Sequence, residues 1–391
     1  MTEIVKEMTV NMGPQHPSTH GIIRVILTLD GERIKNLDVD AGYLHRGFEK
    51  IAENKRYLQV IPFTDRLDYV AAICQNLGYV IAVEKLIDVK PTLRVEYIRL
   101  ILNELTRIQS HLLWLATYLL DIGALSPLFY TFREREKILD IFEMITGARQ
   151  TINYYRIATV ARDMPPEVIP HIKRVLDELP LRIDEYMKLI DKNAIVLNRT
   201  KGVGVITRGD AINSGMTGPN LRATGVMADV RKDEPYGVYP LVEFDIPTQT
   251  EGDCYARYRV RIMEIFESIK IVRQAIRDIP SGPIVPLAPE FVPPPKFSIY
   301  RGMEELIHHY ILYSIGFHPP IGEVYVATES PRGTLGCYLV SDGSPKPFRV
   351  RFRPPSFIHL STLKKLAVGH QLADIVPIIG SIDFVVGEVD R

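Results

Sequence analysis

The sequence predicts an α+β fold, with a mainly helical body of the bundle type and small antiparallel sheets near the N- and C-terminal parts. Two patterns predict it. Apolar and polar residues alternate, as in strands, within residues 5–35 and again beyond residue 322, whereas several stretches between them repeat apolar residues at helical spacing. With 391 residues, 46% of them hydrophobic, the chain can form one large core or two ordinary ones.

The first predicted element is a β-hairpin. Residues 24–29 alternate and include β-branched side chains, the turn-forming pair Asp30 and Gly31 follows, and the strand pattern resumes at residue 32. Residues 1–48 are therefore expected to form an N-terminal sheet that carries a histidine-rich loop.

A helical core is expected to span residues 49–280. Its strongest pattern lies between Val95 and Leu120, where apolar residues recur every three or four positions and give one continuous apolar face. That pattern predicts a long core helix. Further helices are predicted at residues 131–146, 168–192, 254–278 and 301–315.

Residues 281–391 are predicted to contain a connector and a second small sheet. Prolines crowd residues 280–295, and such a stretch continues neither a helix nor a sheet, so it is expected to be extended. Strand patterns follow at residues 322–326, 335–340 and 348–352. We expect the three parts of the chain to pack as one integrated domain.

Charge and cysteine content exclude several classes of protein. Lys+Arg and Asp+Glu both number 47, so the surface as a whole has no net charge that would draw it to nucleic acid or anionic lipid. Cys74, Cys254 and Cys337 lie far apart and form no CxxC pair. They predict free thiols in a reducing compartment, not a disulfide framework or a cysteine-ligated metal or cluster.

Membrane attachment is expected only through partner proteins. The first residues are partly acidic and lack the apolar stretch and cleavage site of a secretory signal. The most apolar stretch, residues 112–130, contains Asp121 and Pro127 and falls short of the ~20 uninterrupted apolar residues of a spanning helix.

The segment GPQHPSTHG at residues 13–21 has the composition of a functional loop. Its prolines and glycines predict a rigid turn that exposes His16 and His20 just before a strand. A spacing of four residues would bring two metal ligands together on a helix, but the prolines exclude a helix here. Hydrogen-bonding imidazoles are therefore favoured over a metal site.

Other polar stretches leave alternatives open. Residues 43–49 and 64–69 mix aromatic, cationic and anionic side chains, which is typical of partner contacts or a polar pocket and equally of salt bridges at helix ends. At Asp121, which closes the long helix, the residues alone favour a carboxylate facing solvent over one paired with a cation such as a histidine. The charged run at residues 133–137 predicts a solvated helix face.

Common catalytic motifs do not occur in the sequence. It contains no GxGxxG, no GxxxxGK[ST], no nucleophile elbow and no HExxH. The residues by themselves therefore predict a helical protein with a conspicuous histidine-rich loop.

Motifs along essentially the whole chain resemble one family. They are GPQHPSTHG at 13–21, GYLHRGFEK at 42–50, TDRLDY at 64–69, ILNEL at 101–105, LLDIGALSP at 119–127, FREREKILD at 132–140, GFHPPIGEVYV at 316–326 and GEVDR at 387–391. In this order they resemble the D, or 49-kilodalton-type, subunit of NADH:quinone oxidoreductase, respiratory complex I. The resemblance implies the fold of the nickel-iron hydrogenase large subunits, to which this family is related.

The resemblance also implies an oxidoreductase subunit with a quinone site and no metal of its own. Hydrogenase large subunits hold their metal with two CxxC pairs, and this chain has neither. In the family the emptied cavity accepts the quinone headgroup, and the residues matching His20 and Tyr69 bind it and supply protons. Asp121 matches the carboxylate that orients that histidine and favours its cationic form.

Further residues are implied to lie around the same cavity. Arg66 matches an arginine beside the terminal 4Fe-4S cluster of the neighbouring subunit, and Asp68 and His16 belong to the cavity motifs. Many relatives carry a histidine near that cluster, after the residues matching Gly147-Ala148-Arg149-Gln150. This chain has Thr151-Ile152-Asn153-Tyr154 there, which predicts a lower and nearly pH-independent cluster potential, suited to a low-potential acceptor such as menaquinone.

The resemblance finally implies a setting. The chain is expected to be a peripheral subunit at the cytoplasmic face of the cell membrane, inactive alone and part of an ion-pumping complex. Expected partners are the iron-sulfur subunit with the terminal cluster, a C-type (30-kilodalton-type) subunit, a ferredoxin-like iron-sulfur subunit, an H-type membrane subunit, and ubiquinone or menaquinone. Two alternatives stay open: a scaffold subunit without quinone ligands, and a hydrogenase-like metalloenzyme, which the scattered cysteines disfavour.

Overall fold

The computed structural model describes residues 7–286 and 290–391. The first residues of the predicted N-terminal sheet, and residues 287–289 of the predicted connector, lie outside the described residues. The strands are β1 (Met8–Met12), β2 (Gln15–His16), β3 (Gly21–Ile22), β4 (Arg24–Asp30), β5 (Arg33–Asp40), β6 (Tyr155–Arg156), β7 (Thr159–Val160), β8 (Gly322–Ser330), β9 (Gly333–Ser341) and β10 (Arg349–Arg353).

The α-helices are α1 (Phe48–Ala52), α2 (Tyr57–Thr64), α3 (Ala72–Ile87), α4 (Leu93–Asp121), α5 (Ser126–Thr146), α6 (Val168–Ile190), α7 (Ala194–Thr200), α8 (Arg208–Asn213), α9 (Gly218–Arg222), α10 (Val230–Asp233), α11 (Cys254–Asp278), α12 (Lys296–Ile299), α13 (Met303–Ser314), α14 (Pro355–Ser361), α15 (Leu363–Ala367), α16 (Ile375–Ile382) and α17 (Val386–Asp390). Short 3-10 helices lie at Pro17–Thr19, Tyr239–Leu241 and Leu372–Asp374.

The N-terminal sheet has three antiparallel strands in the order β1-β4-β5, with Thr9 opposite Thr28 and Arg24 opposite Asp40. Along β4 every second side chain is buried, as in a sheet with one face on the core. The β4–β5 hairpin turns at Gly31, whose φ of 60° favours glycine. The predicted hairpin is thus confirmed.

The helical body is built around α4. The hydroxyl of Thr92 caps its first turn by accepting a hydrogen bond from the Val95 amide at 3.4 Å, and its sides pack against α5 and α11. The predicted long core helix is confirmed, and it ends at Asp121. Helix α5 begins at Ser126, earlier than predicted, because Pro127 fits the first turn of a helix, where its missing amide hydrogen is not needed.

The other predicted helices are present as α6, α11 and α13, and β8, β9 and β10 form the second antiparallel sheet in the order β10-β9-β8. Strands β8 and β9 are longer than predicted and are joined by a tight turn at Pro331 and Arg332. The fold is therefore α+β and mainly helical. No helix in the described part of the chain is both long enough and apolar enough to span a bilayer.

The apolar core has two main parts. The larger one surrounds α3, α4, α5, α6 and α11 and includes the inner face of the C-terminal sheet. The smaller one lies between the N-terminal sheet and helices α14, α15 and α16. The 3-10 helix of the histidine-rich loop packs on α16, beside the smaller part.

Charged side chains also fill part of the interior. Arg222 pairs with Glu264 at 2.6 Å and with Asp229 at 3.4 Å. Asp229 pairs in turn with Arg231 at 2.6 Å, and Arg231 reaches Glu104 at 3.1 Å. All five side chains are at most 2% exposed, so they form a buried ion network that joins α4, α9, α10 and α11.

Candidate functional site

The histidine-rich loop is a short, internally bonded turn. Strands β2 and β3 pair across it, with His16 opposite Gly21. Pro17 opens its 3-10 helix, and the buried Thr19 hydroxyl lies 2.7 Å from the His16 carbonyl oxygen and 2.8 Å from that of Gly21. His20 has a φ of 50°, which histidine tolerates better than most residues. The sequence thus forms a compact loop that presents His20 at its end.

The His20 imidazole meets the carboxylate of Asp121, the last residue of α4. Nε2 of His20 lies 2.5 Å from Oδ2 of Asp121, and the two side chains are 21% and 12% exposed. The solvent-facing carboxylate favoured by the residues alone is therefore wrong, because the loop folds over the end of the helix. A short contact between imidazole and carboxylate, shielded from most of the solvent, holds the ring in one orientation.

Helix α4 also fixes the surface on which the loop rests. Nε1 of Trp114 donates a hydrogen bond to the carbonyl oxygen of Gly380 in α16 at 2.7 Å. A Cβ on Gly380 would lie 2.8 Å from the Tyr118 ring, so glycine allows α16 to approach α4 closely here. The loop, α16 and the end of α4 therefore pack as one unit around His20.

Tyr69 lies in the turn between α2 and α3, which Asp68 holds in shape. Oδ1 of Asp68 accepts hydrogen bonds from the amides of Val70 and Ala71 at 3.1 Å, and Oδ2 pairs with Arg332 at 2.5 Å. Asp68 is fully buried. Burial raises the pKa of its carboxyl, against the opposing effect of Arg332. One carboxyl group thus fixes the backbone around Tyr69.

The Tyr69 side chain is partly exposed and borders a narrow cleft. The cleft has a volume of about 20 Å³, room for one water molecule, and its other walls include Gln109, Arg135 and Thr151. Burial is the main cause that raises the pKa of the Tyr69 phenol above its ordinary value. The phenol therefore stays protonated at neutral pH and can donate a hydrogen bond.

The C-terminal segment joins the histidine-rich loop to the Tyr69 turn. A Cβ on Gly21 would collide with the side chain of Val386, and a Cβ on Gly387 would lie 2.9 Å from two carbonyl oxygens of the turn that precedes Tyr69. Both glycines therefore permit a close approach. The loop that carries His20 and the turn that carries Tyr69 therefore both pack on this C-terminal segment. Within the described residues no hydrogen bond joins His20 to Tyr69.

Arg66 lies at the surface, next to the Tyr69 turn. Its guanidinium donates hydrogen bonds to the Asp65 carboxylate at 2.7 Å and to the Pro62 carbonyl oxygen, and 49% of its side chain is exposed. Burial raises the pKa of Asp65 to about 6, with Arg66 acting in the opposite direction. The outer face of the guanidinium is thus exposed to solvent.

Several residues of the GYLHRGFEK motif, among them His45 and Glu49, line a cavity with both polar and apolar walls, and a pocket is one of the alternatives that their sequence left open. Asp390 accepts hydrogen bonds from the amides of Gly42 at 2.9 Å and Leu44 at 2.7 Å, and Nδ1 of His45 donates to its carbonyl oxygen at 2.6 Å. The adjoining cavity has a volume of about 440 Å³. These bonds tie the GYLHRGFEK motif to the C-terminus.

The structure brings together some of the predicted site residues and not others. His20 meets Asp121, and Asp68 lies beneath Tyr69, whereas His16 sits at the exposed start of its loop, where Nδ1 accepts a hydrogen bond from the amide two residues on at 3.2 Å. In the part of the chain that the structure describes, no group of three or more His, Cys, Asp and Glu side chains is arranged to hold a metal ion.

Sequence patterns did not single out the polar side chains that support the Tyr69 turn. Gln109 donates to the Val70 carbonyl oxygen and accepts a hydrogen bond from Arg135 at 3.1 Å. Arg135 and Glu134 are 5% and 1% exposed, so the predicted solvated face is wrong for both, because α5 packs against α4 and α6. No sequence pattern distinguished Gln109, because it is one of many polar residues in α4.

Comparison with known proteins identifies the family. The family described as "Respiratory-chain NADH dehydrogenase, 49 Kd subunit" matches residues 121–391. The chain is 53% identical over 387 residues to a D-type NADH-quinone oxidoreductase subunit of Chloroflexus aurantiacus, covering 98% of this chain and 94% of that protein. It is 50% identical over 384 residues both to the D-type NADH-quinone oxidoreductase subunit of Geotalea uraniireducens (98% of each chain) and to NADH-quinone oxidoreductase subunit 4 of Thermus thermophilus (98% and 94%). The chain therefore belongs to the family of the 49-kilodalton, or D-type, subunits of NADH-quinone oxidoreductase.

Proposed function

We propose that this subunit and an iron-sulfur partner together form the site where an ion-pumping respiratory complex binds, reduces and protonates quinone. The observation that carries the proposal is the 2.5 Å contact between His20 and Asp121 on a compact loop. Reduction of a quinone consumes two electrons and two protons, so its site needs groups that bind the carbonyl oxygens and deliver protons.

Two side chains of this chain meet that need. The His20 imidazole is held by Asp121, so one ring nitrogen is fixed while the rest of the ring remains partly exposed. The Tyr69 phenol is protonated at neutral pH and sits on a turn that Asp68 holds. We propose that these two groups bind the two carbonyl oxygens and that each oxygen takes up one proton as it becomes a hydroxyl.

We propose that the partner subunit completes the pocket. In this chain the cleft at Tyr69 has a volume of about 20 Å³, which is too small for a quinone ring, while Tyr69 and Arg66 are both partly exposed. Such a half-formed site suits an interface with the subunit that carries the terminal 4Fe-4S cluster, with Arg66 facing the cluster. The chain alone would then be inactive.

The proposal extends to the wider setting. The fold would be that of the nickel-iron hydrogenase large subunits, without a metal of its own, and the chain would be peripheral at the cytoplasmic face of the membrane. Further partners would be the C-type subunit, the ferredoxin-like iron-sulfur subunit and the H-type membrane subunit. The substrate would be ubiquinone or menaquinone.

Replacing Asp121 by asparagine tests the role of its contact with His20. The amide keeps the shape of the side chain but removes the charge. A hydrogen bond to a charged group contributes about 1.5–3 kcal/mol, so we expect quinone reduction by the complex to fall about tenfold to a hundredfold. The measurement is the steady-state rate with a short-chain quinone, with reduction of the terminal cluster followed by electron paramagnetic resonance.

Asp177→Asn is the matched control, because that carboxylate is 74% exposed and pairs at the surface with Arg273; its rate should be unchanged. A His20→Gln background shows whether Asp121 acts through the imidazole. If it does, adding Asp121→Asn to His20→Gln lowers the rate of quinone reduction only slightly further. Fully additive losses, or an unimpaired Asp121→Asn complex, would contradict the proposed role.

Thr151 gives a separate test. We propose that the terminal cluster beside this chain has a nearly pH-independent potential, because Thr151 stands where many relatives carry a histidine. It borders the same cleft as Tyr69 and has a φ of 47°, which histidine and asparagine both tolerate. Thr151→His is expected to add a slope of up to about 59 mV per pH unit to the cluster potential.

Redox titrations of the complex at several pH values measure this slope. Thr151→Asn is the control, because asparagine fits the same backbone conformation and does not titrate. A steep slope in the unchanged complex, or a flat one in the histidine variant, would sink the hypothesis.

A further inference from the structure

Three buried carboxyl groups, called here the carboxyl cluster, lie beneath the Tyr69 turn: Asp68, Asp383 and Glu388, which are 0%, 7% and 0% exposed. Two guanidinium groups lie among them. Arg332 pairs with Asp68 at 2.5 Å and with Asp383 at 3.5 Å, and Arg261 lies 3.9 Å from Asp383. The cluster therefore holds one more carboxyl group than it has guanidinium partners.

Glu388 is the member of the cluster without a cation beside it. Its Oε1 accepts a hydrogen bond from Gln75 at 3.0 Å, and its Oε2 contacts the amide of Ser356 at 3.3 Å and the Ser356 hydroxyl. In the described part of the chain no Lys, Arg or His nitrogen lies within ion-pair distance of it. The other acid of α17, Asp390, is turned to the amides of residues 42–44.

Charge balance favours a proton on Glu388. Asp68 and Asp383 each have a guanidinium partner, whereas an ionised Glu388 would be a negative charge without an ion-pair partner in a fully buried place. An isolated buried charge is costly, and an acid in that position takes up a proton instead.

The groups that face Glu388 from the surrounding elements act in both directions, and burial prevails. Burial and the nearby Asp68 raise the pKa of Glu388 to about 7, although the hydrogen bonds from Ser356 and Gln75 and the charge of Arg332 oppose the rise. The guanidinium of Arg353 on β10 also favours the ionised form of this carboxyl group. His359 on α14 adds no charge, because burial lowers its pKa to about 3.

We propose that Glu388 holds a proton in the resting protein and that this proton keeps the carboxyl cluster electrically balanced beneath Tyr69. Asp68 and Arg332 are the charged groups that act on the Tyr69 phenol. Although burial raises the pKa of Asp68 as well, its pairing with Arg332 and its two backbone hydrogen bonds favour its carboxylate, so the proton resides on Glu388 and Asp68 keeps the turn in shape. Glu388 is thus a positioning residue for Tyr69, and its link to quinone chemistry rests on the proposed function.

Infrared spectroscopy of the whole complex tests the proton directly, because a carboxylic acid has a C=O stretch that a carboxylate lacks. Labelling the side-chain carboxyl of glutamate with carbon-13 shifts the C=O band of any protonated glutamic acid. We expect such a shifted band, and we expect it to disappear as the pH rises through about 7. Glu388→Gln should remove this band. Asp68→Asn should keep it and move its midpoint to lower pH, because a like charge is removed and Arg332 loses a partner.

The labelled wild-type measurement needs no variant, so it can overturn the proposal even where a variant fails to assemble. A wild-type complex without a glutamic acid band that titrates between about pH 6 and 8 would overturn the proposal. So would a band that persists unchanged in Glu388→Gln.

The pH profile of quinone reduction gives the second readout. The alkaline fall caused by loss of the Glu388 proton should be missing in Glu388→Gln, because glutamine stays neutral like the protonated acid, whereas a merely structural role would lower the rate equally at every pH. The infrared result does not require quinone turnover. It can therefore stand if the quinone site lies elsewhere, and it can fail while His20 and Tyr69 keep their proposed roles.

Discussion

Replacing Tyr69 by phenylalanine is expected to lower quinone reduction by the complex about a hundredfold or more while the terminal cluster is still reduced. A positioned acid or base contributes about 10²–10⁴-fold to a rate, and phenylalanine keeps the ring but loses the hydroxyl. The turn itself should persist, because Asp68 and Gln109 hold its backbone. The measurements are the steady-state rate and the electron paramagnetic resonance signal of the cluster.

Tyr300→Phe is the matched control, because its side chain is 79% exposed and lies between α12 and α13. Its rate should equal that of the unchanged complex. If Tyr69→Phe is fully active, the quinone site lies elsewhere and the subunit becomes a scaffold. If the cluster itself is no longer reduced, the loss lies upstream of Tyr69 and the substitution says nothing in favour of a headgroup ligand.

Local elements of the fold could be predicted because their signals are local. The apolar face of α4 repeats along one continuous stretch, and the β4–β5 hairpin follows from alternation and from Asp30 and Gly31. The early start of α5 shows that local patterns predict the ends of helices less well. Pro127 ends one apolar pattern, and it also fits the first turn of the next helix.

The geometry of the site could not be predicted in the same way, because its contacts join residues far apart in the chain. His20 and Asp121 are separated by 101 positions, and Asp68 and Arg332 by 264. The spacing of apolar residues along the chain carries no information about contacts between residues so far apart. The family resemblance named His20, Tyr69 and Asp121, but it did not supply Arg332 or the excess carboxyl group of the carboxyl cluster.

Buried charges could not be identified from sequence patterns. A charged residue on a helix is normally expected at the surface, yet Glu264 on α11 is 1% exposed. Its Oε1 pairs with Arg222 at 2.6 Å and its Oε2 contacts Nε2 of His111 at 2.9 Å. Burial would raise the pKa of Glu264, but Arg222 and His111 hold it below its ordinary value of 4.5.

Glu264→Gln is therefore expected to lower the free energy of unfolding of the chain by about 3 kcal/mol at pH 7, because the buried Arg222 guanidinium loses a carboxylate partner. Glu185→Gln is the matched control. Glu185 is 57% exposed and pairs with Arg182 at 3.0 Å, and loss of such a surface pair costs about 0–1 kcal/mol. Urea unfolding followed by circular dichroism measures both variants.

The pH dependence distinguishes loss of the charge from loss of packing. A carboxyl group whose pKa is lower in the folded than in the unfolded chain stabilises the fold above the unfolded value, and this contribution declines as the pH falls through 4.5 towards the folded pKa. The gap between the unchanged chain and Glu264→Gln should therefore narrow in acid. A gap that is constant with pH would mean that the glutamine disturbs packing, and equal stability of the Glu264 and Glu185 variants would mean that the buried ion network contributes no net stability.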